Sequence, residues 1–287
     1  MDFKQLVIVA LQVSILSTVF GFGLKTTSED MLYLVRRPGL LVRSLIAVFL
    51  IVPVVAIVLD GVFDFRPTLE ILLVALSLSP VPPLLPIKES KAGGQRSYTL
   101  GLMALLALLS IVIVPLAMAL IGFVFGRSFE MGPGAIARVA LITVILPLVA
   151  GITVRALLPG VADRLEKVVS LITKTLLPLA VLVLLVGSWR AMWAAVGDGS
   201  IVAIVTFVAA GLLAGHLLGG PDPEHAVVLA LSSACRHPAI ALTIAAANFP
   251  GQHFEGTILL YLVINALIGV PYVAWHRRQT ATAMAPA

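Results

Sequence analysis

Seven stretches of apolar residues, each about twenty residues long, recur along the 287-residue chain. A helix needs about 20 such residues to cross a hydrocarbon layer of roughly 30 Å, so each stretch predicts a transmembrane helix. Two further apolar segments, at about 68–91 and 224–248, are interrupted within the span. The nine segments together predict an all-α polytopic membrane protein. The seven uninterrupted stretches are at about 5–24, 39–59, 98–124, 136–154, 166–188, 200–219 and 255–275.

The small number of charged residues supports this reading. Only 11% of residues are charged, 60% are apolar and the mean hydropathy is +1.10, whereas soluble domains carry about 25% charged residues. This composition excludes a soluble enzyme, a disordered chain and a nucleic-acid binder. The net charge of +5 is typical of membrane proteins, whose cytoplasmic loops are rich in Lys and Arg. We find no catalytic, cofactor-binding or metal-binding motif, and expect neither a cofactor nor a metal site.

The distribution of Lys and Arg between alternate loops predicts the orientation. One set of loops is richer in these residues and is predicted to be cytoplasmic, which puts the C-terminus inside and the N-terminus outside, in a plasma membrane of bacterial type. We expect the tail at 279–287 to be disordered. The richer set is Lys25, Arg36, Arg37, Lys91, Arg96, Arg155, Arg164, Lys167, Arg277 and Arg278, and the poorer set is Lys4, Arg66, Arg127, Arg138 and Arg190.

The two interrupted segments contain residues that a regular helix cannot accommodate. The first has four prolines within seven residues, at positions 80, 82, 83 and 86. The second has Arg236-His237-Pro238 in the middle of the span. Each proline removes a helix donor and clashes with the preceding turn, and unwound backbone at membrane depth is tolerated only where protein buries it or a cavity solvates it. Ordinary proline kinks are the alternative interpretation.

The two breaks occupy comparable positions, since each is followed by one long uninterrupted span. Such a pair is typical of secondary transporters with inverted repeats, whose substrate site lies near the bilayer midplane. We therefore predict one transporter domain over 1–287, with a first repeat at 1–124 that lacks one helix and a second repeat at 136–276.

Several motifs resemble the bile acid:sodium symporter family. Phe20-Gly-Phe-Gly-Leu-Lys25 with Ser28-Glu-Asp30 resembles a conserved helix end, and Arg37-Pro38 resembles the start of the next helix. Ile145–Arg155 and Ser232–Phe249 are similar to two later helices. The resemblance covers about residues 6–276. It implies a core domain with two broken helices that cross at the midplane, a separate panel domain, and transport of organic anions by alternating access.

The resemblance also implies positions for sodium ligands, and most of them are substituted here. The family's oxygen-bearing side chains fall on Val48, Leu85, Pro86, Thr99, Met103, Ser232 and Arg236, of which Thr99 keeps a hydroxyl where the family has one. A hard cation needs several oxygen ligands, and Arg236 would place a fixed positive charge in the sodium site. We therefore expect that sodium coupling is lost, with Arg236 replacing the charge of the bound cation.

Individual residues have alternative roles. Arg236 could anchor an anionic substrate or could satisfy carbonyls that the break frees. His237 could contact substrate, carry a coupling proton or bond the backbone, and Asn265 could bind substrate or hold helices together. Lys88 and Glu89 could line a cytoplasmic vestibule. Alternatively they could pair with each other or simply be solvated at the helix end, and this second interpretation is the one we favour. The predicted substrate-binding set is Ser79, Leu85, Pro86, Ile87, Thr99, Ser232, Ser233, Arg236, His237 and Asn265.

The function that the sequence predicts is transport of a small organic anion, of carboxylate type, without sodium. Facilitated diffusion, exchange and proton coupling through His237 are all compatible with it. A sodium-coupled symporter with backbone ligands and a non-transporting membrane sensor remain as alternatives. The expected partners are the organic anion and the lipid bilayer, with no nucleic acid.

Overall fold

Every regular element in the computed structural model, which describes residues 3–125 and 133–284, is a helix. Two five-residue π-helical turns, Ala47–Ile51 and Leu141–Ile145, join α3 to α4 and α8 to α9. The helices are α1 (Phe3–Lys25), α2 (Ser28–Leu32), α3 (Pro38–Ile46), α4 (Val52–Val62), α5 (Pro67–Leu78), α6 (Leu85–Lys91), α7 (Arg96–Phe125), α8 (Pro133–Ala140), α9 (Leu146–Leu157), α10 (Pro159–Ala194), α11 (Ser200–Gly219), α12 (Pro223–Ala234), α13 (Pro238–Asn248) and α14 (Glu255–Met284).

Six helical stretches in the described part of the chain are long and apolar enough to cross a membrane. A seventh is formed if Pro159–Val183 and Leu185–Ala194, which are bent by 41° relative to each other, count as one span. Val9–Lys25 and Pro67–Leu78 are apolar but shorter. An all-α polytopic membrane protein is therefore confirmed, and the count of nine stays a prediction. The six are Pro38–Val62, Arg96–Phe123, Ala137–Leu157, Ser200–Gly219, Pro223–Asn248 and Glu255–Thr280.

Both predicted helix breaks are present. α5 ends at Leu78 and the helix resumes at Leu85, so the proline-rich segment 79–84 is not helical. α12 ends at Ala234, and α13 begins at Pro238 after three non-helical residues. In each half of the chain the broken helix is followed by one long helix, α7 or α14.

The last helix, α14, extends beyond residue 279 to Met284, and the disorder expected over 279–287 stays a prediction. Alanine has the highest helix propensity, and the Thr280 hydroxyl donates to the carbonyl of His276 at 3.2 Å, as a helical residue does. Residues 285–287 lie outside the described part of the chain.

Small residues allow two sets of helices to approach closely. α1 packs against α9 and α10, and the Thr18 and Thr173 hydroxyls are 3.0 Å apart between α1 and α10. α11 packs along α12, where a Cβ atom on Gly211 would lie 2.9 Å from Ala234 Cα. Gly211, Gly215 and Gly219 have the small-xxx-small spacing that allows close packing of membrane helices, and each lies against the backbone of α12.

Charged residues gather at the two ends of the helix bundle. At one end, Lys25 pairs with Glu166 at 3.0 Å and Arg155 pairs with Asp163 at 2.7 Å. At the other end Arg66 pairs with Asp198. Exposed pairs of this kind add little stability. Lys25 and Arg155 nevertheless lie at one end and Arg66 at the other, and these residues belong to the two loop sets that were predicted to lie on opposite sides of the membrane. Arg127 lies outside the described residues.

The short helix α2 closes the first of these ends. The Asp30 carboxylate accepts from the backbone N–H of Thr27 at 2.8 Å and from the Ser97 hydroxyl. Burial favours the neutral acid, but these hydrogen bonds outweigh it and hold the pKa of Asp30 below its usual value. The bond to Ser97 also ties α2 to α7.

Candidate functional site

The two helix breaks lie side by side in the interior of the bundle. The backbone N–H of His237, in the second break, donates to the carbonyl of Pro80, in the first, at 2.8 Å. The side chains of Ser79, Arg236 and His237 are all at most 3% exposed. The structure therefore brings together the two segments that the sequence analysis singled out, and we call this junction the crossing.

Arg236 places its guanidinium group among backbone carbonyls at the crossing. Its Nε atom donates to Leu76 at 3.1 Å, and Nη2 donates to Val48 at 3.1 Å and to Ser77. Leu76 and Ser77 belong to the last turn of α5, where the helix dipole places partial negative charge. The guanidinium group thus occupies a position suited to a cation.

Prolines leave two of these carbonyls without their helical donors. In the π-helical turn, the N–H of Val52 bonds to the carbonyl of Ala47, and residue 53 is a proline with no N–H to offer Val48. Residue 80 is likewise a proline, so Leu76 lacks the usual donor four residues on. Buried carbonyls need partners. Ser79 donates to Leu76 from its N–H at 3.0 Å and from its hydroxyl, and Arg236 supplies a further donor to Leu76 and one to Val48.

His237 caps the N-terminus of α13. Its Nδ1 atom accepts from the backbone N–H of Ile240 at 3.4 Å, so the neutral ring carries its proton on Nε2. Nε2 is buried and has no hydrogen-bond partner among the described residues. This geometry matches the backbone-bonding alternative for His237 and leaves Nε2 as the group able to contact a ligand.

Ser79 and Asn265 stabilise the ends of the two half-helices. The Ser79 hydroxyl donates to Leu76 at 2.8 Å, and Asn265 Nδ2 donates to the carbonyl of Ala234 at 2.8 Å. The sequence analysis missed Tyr261, whose hydroxyl donates to the same carbonyl at 3.0 Å and accepts from the Arg236 N–H at 2.7 Å. Its position four residues before Asn265 on α14 is the signal that could have revealed it.

Glu89 differs most from the sequence interpretation. Its side chain is only 1% exposed, and its Oε1 atom accepts from the Ser232 hydroxyl at 2.7 Å. It forms no ion pair with Lys88 in the described structure, so the favoured reading of a solvated or mutually paired Lys88 and Glu89 is wrong for Glu89. Lys88 Nζ instead lies 3.8 Å from the Sγ atom of Cys235. Leu85, Pro86 and Glu89 share the buried face of α6, and that spacing was the available signal.

The remaining predicted residues divide into polar and apolar groups. The Thr99 hydroxyl is buried and faces the Glu89 carboxyl group, while the Ser233 hydroxyl is buried without a partner among the described residues. Leu85 and Pro86 are buried and have no polar side-chain atom to offer a ligand. Ile87 lines two cavities near the end of the bundle that holds Lys25 and Arg155, which we call the Lys-rich end.

These two cavities carry positive charge. The first, of about 430 Å³, lies between α1, α6 and α10, and the second, of about 540 Å³, lies between α6 and α14. Ile87 and Lys91 line both. The cationic residues are Lys25, Lys91 and Lys174 in the first cavity and Lys88, Lys91 and Arg277 in the second.

Lys174 lies at an exposed position and lines the first cavity. It lies 15 residues after Pro159, where α10 begins, which is about 22 Å along a helix that rises 1.5 Å per residue. Hydroxyl groups of Thr18, Ser170 and Thr173 line the same cavity. A third cavity, of about 250 Å³, lies on the opposite side of the crossing, against α5 and α13.

Broken membrane helices that meet in the interior, with cavities on both sides of the junction, are the architecture of a secondary transporter. Residues 12–195 match the model of the sodium bile acid symporter family, and the chain belongs to that family. The match includes the first broken helix and ends before the second. No curated protein matches the chain. The resemblance identified in the sequence is thus confirmed, and with it a multi-pass membrane protein of a transporter family.

Proposed function

We propose that the protein is a secondary transporter that moves a small organic anion of carboxylate type by alternating access, without sodium. The observation that carries the proposal is the cavity lined by Lys25, Lys91 and Lys174. The proposal further places the protein in a bacterial plasma membrane, with the Lys-rich end and the C-terminus in the cytoplasm.

The charges of the first cavity favour an anionic ligand. Glu166 is the carboxylate among its lining residues, and it pairs with Lys25 at 3.0 Å. Lys91 and Lys174 form no ion pair among the described residues. Lys174 lies well inside the long apolar helix α10, and a charged side chain at membrane depth is costly and is retained mainly for function, so Lys174 supports an anion-binding role.

Arg236 supports independence from sodium. A sodium ion at the crossing would need the carbonyl oxygens of Val48, Leu76 and Ser77, which already accept from the guanidinium group. Two unit charges 4 Å apart repel by about 4 kcal/mol at an effective dielectric constant of about 20. Nη1 of Arg236 and Nε2 of His237 have no partner among the described residues, and we propose that they contact the substrate at the crossing.

The experiment that tests this proposal is the thermal stability of the purified protein against a panel of small carboxylates, in sodium chloride and in choline chloride at equal ionic strength. A ligand that binds only the folded protein stabilises it and so raises its melting temperature. At a ligand concentration of one hundred times Kd, the free energy of unfolding increases by about 2.7 kcal/mol. We expect at least one carboxylate to raise the melting temperature equally in both salts.

Two variants on α10 distinguish the effect of a lysine in the cavity from a general effect of positive charge. Lys174→Met should weaken the carboxylate-dependent shift at least tenfold in ligand concentration, because it removes a cation from the cavity lining. Lys167→Met, two turns away on the same helix and outside the cavity lining, should leave the shift unchanged. A shift that needs sodium would contradict the sodium-free mechanism, and equal shifts in both variants would contradict the cavity assignment.

A further inference from the structure

Glu89 is a buried acid that connects the two broken helices. It lies on α6, the second half of the first broken helix, and its carboxyl group accepts from Ser232 on α12, the first half of the second. The side chain of Ser232 is 2% exposed and that of Glu89 is 1% exposed. The carboxyl group is therefore enclosed between α6 and α12.

The groups that face Glu89 are mostly uncharged. α7 presents Tyr98 and the Thr99 hydroxyl, α12 presents Ser232, and the break after α12 presents Cys235. Lys88 is the nearest cation, on the same short helix, but it forms no ion pair with Glu89 among the described residues. Because the described structure places no Lys, Arg or His nitrogen within ion-pair distance, the carboxyl group has hydroxyl neighbours instead of a counter-ion.

An ionised carboxylate in such surroundings is costly, since burial without a paired cation removes its hydration without replacing it. Uptake of one proton removes this cost. The Thr99 hydroxyl lies beside the Glu89 carboxyl group and has no other hydrogen-bond partner among the described residues, so it can accept a bond from a protonated Glu89. Ser232 can donate to the carboxyl group in either state.

His237 is less suited to bind a coupling proton. Its Nδ1 atom accepts from the backbone N–H of Ile240, and protonation of that nitrogen would replace an acceptor with a second donor facing the same N–H. The uptake of a proton would therefore break the cap of α13. Glu89 carries no such structural bond to the backbone in the described structure.

We propose that Glu89 is the proton-binding site of this transporter, at which one proton is taken up and released during the transport cycle. A carboxylate and a proton form a carboxylic acid, with no other bond changed. Proton binding alters the charge of the crossing by one unit, between the cationic cavities and the buried Arg236. The coupling role rests on the transport activity proposed above, whereas the proton site itself does not.

The test of the site uses infrared spectroscopy of the full-length protein in the absence of any substrate. At about pH 6 solvated Glu side chains are ionised, because their reference pKa is about 4.3, so a carboxylic acid C=O band at that pH reports a buried protonated acid. We expect this band in the wild type and expect Glu89→Gln to remove it. Glu224→Gln, at an exposed position at the start of α12, should retain it. A band that persists unchanged in Glu89→Gln would overturn the proposal.

A pair of adjacent serines provides a second test that retains the acid. Ser232→Ala removes the donor to the carboxylate, so it should move the pH at which the band disappears upward. Ser233→Ala, equally buried but without a partner among the described residues, should leave that pH unchanged. Equal behaviour of the two variants would overturn the assignment of the band to Glu89.

The coupling role is tested in liposomes that contain a trapped pH indicator, with succinate as the probe. The wild type should move protons together with succinate, whereas Glu89→Gln should exchange succinate without proton movement. Proton movement at the wild-type level in Glu89→Gln would overturn the coupling role. A Glu89 infrared band in a protein that no carboxylate stabilises would instead contradict the proposed function and still support the proton site.

Discussion

At the scale of single residues, Arg236 links three segments that are distant in the sequence. Its guanidinium group bonds the π-helical turn before α4 and the last turn of α5, and its backbone N–H bonds Tyr261 on α14. A buried charge that loses its partners is destabilising, and so are buried carbonyls that lose their donors. Arg236 therefore stabilises the crossing as well as supplying its positive charge.

Substitution of Arg236 should test this structural role directly. Arg236→Met leaves the buried carbonyls of Val48 and Ser77 without this donor at about 1–3 kcal/mol each, whereas Leu76 keeps its bonds from Ser79. We therefore expect stability to fall by about 2 kcal/mol or more. Arg236→Lys retains a charge and donors and should recover part of that loss. Denaturant unfolding in detergent measures both, with Arg164→Met, at an exposed position on α10, as control. An Arg236→Met protein as stable as the control would contradict the role.

The sequence predicted the residues of the crossing better than it predicted their contacts. The depth of Arg236 and the break around it follow from local composition, because an Arg-His-Pro sequence inside an apolar run is visible by itself. Its carbonyl partners depend on packing between segments up to 188 residues apart. The partner of Glu89, Ser232, is 143 residues away, so local sequence could not identify it. The spacing of Glu89 from Leu85 and Pro86 was the signal that one member of the charged pair is buried.

At the scale of helices, local chemistry determines where they end and small residues determine how closely they pack. The proline-rich segment and Pro238 end helices at the predicted places. The π-helical turns were not predicted. A proline lies two residues beyond each turn, at Pro53 and Pro147, but a proline by itself indicates only that the helical hydrogen bonding is disturbed nearby. The form that the disturbance takes depends on the neighbouring helices.

Gly215 should be the position at which α11 least tolerates a side chain. A Cβ atom there would overlap the carbonyl oxygen of Leu229 and the backbone of Ala230, so Gly215→Ala should destabilise the protein by about 1–3 kcal/mol, as overpacking does. Gly187→Ala on α10, where a Cβ atom meets nothing within 4 Å, should be neutral or slightly stabilising because Ala favours the helix. Equal melting temperatures for the two variants would contradict the close packing of α11 and α12.

At the scale of the whole molecule, the cavities lie on opposite sides of the crossing. The cationic cavities lie toward the end that holds Lys25 and Arg155, and the third cavity lies toward the end that holds Asp60 and Glu70. Alternating access requires that a central site open to one side at a time. The repeat boundaries at 1–124 and 136–276 stay predictions, although each half repeats a broken helix followed by a long one.

The first cavity should be reached from the Lys-rich side, which we propose is cytoplasmic. Cys235 is the one cysteine of the chain and is buried, so Cys235→Ala provides a cysteine-free background once its melting temperature is shown to match the wild type. Ser170→Cys then introduces a thiol into the cavity lining. A membrane-impermeant anionic thiol reagent should modify it in inside-out vesicles at least tenfold faster than in right-side-out vesicles, because the crossing closes the path from the other side.

Lys174→Met in the same background should slow the reaction, since a lysine in the cavity attracts the anionic reagent, whereas Lys167→Met should not. Faster modification from the outside would reverse the orientation derived from the Lys and Arg distribution, and equal rates from both sides would mean that the crossing does not separate the two cavities.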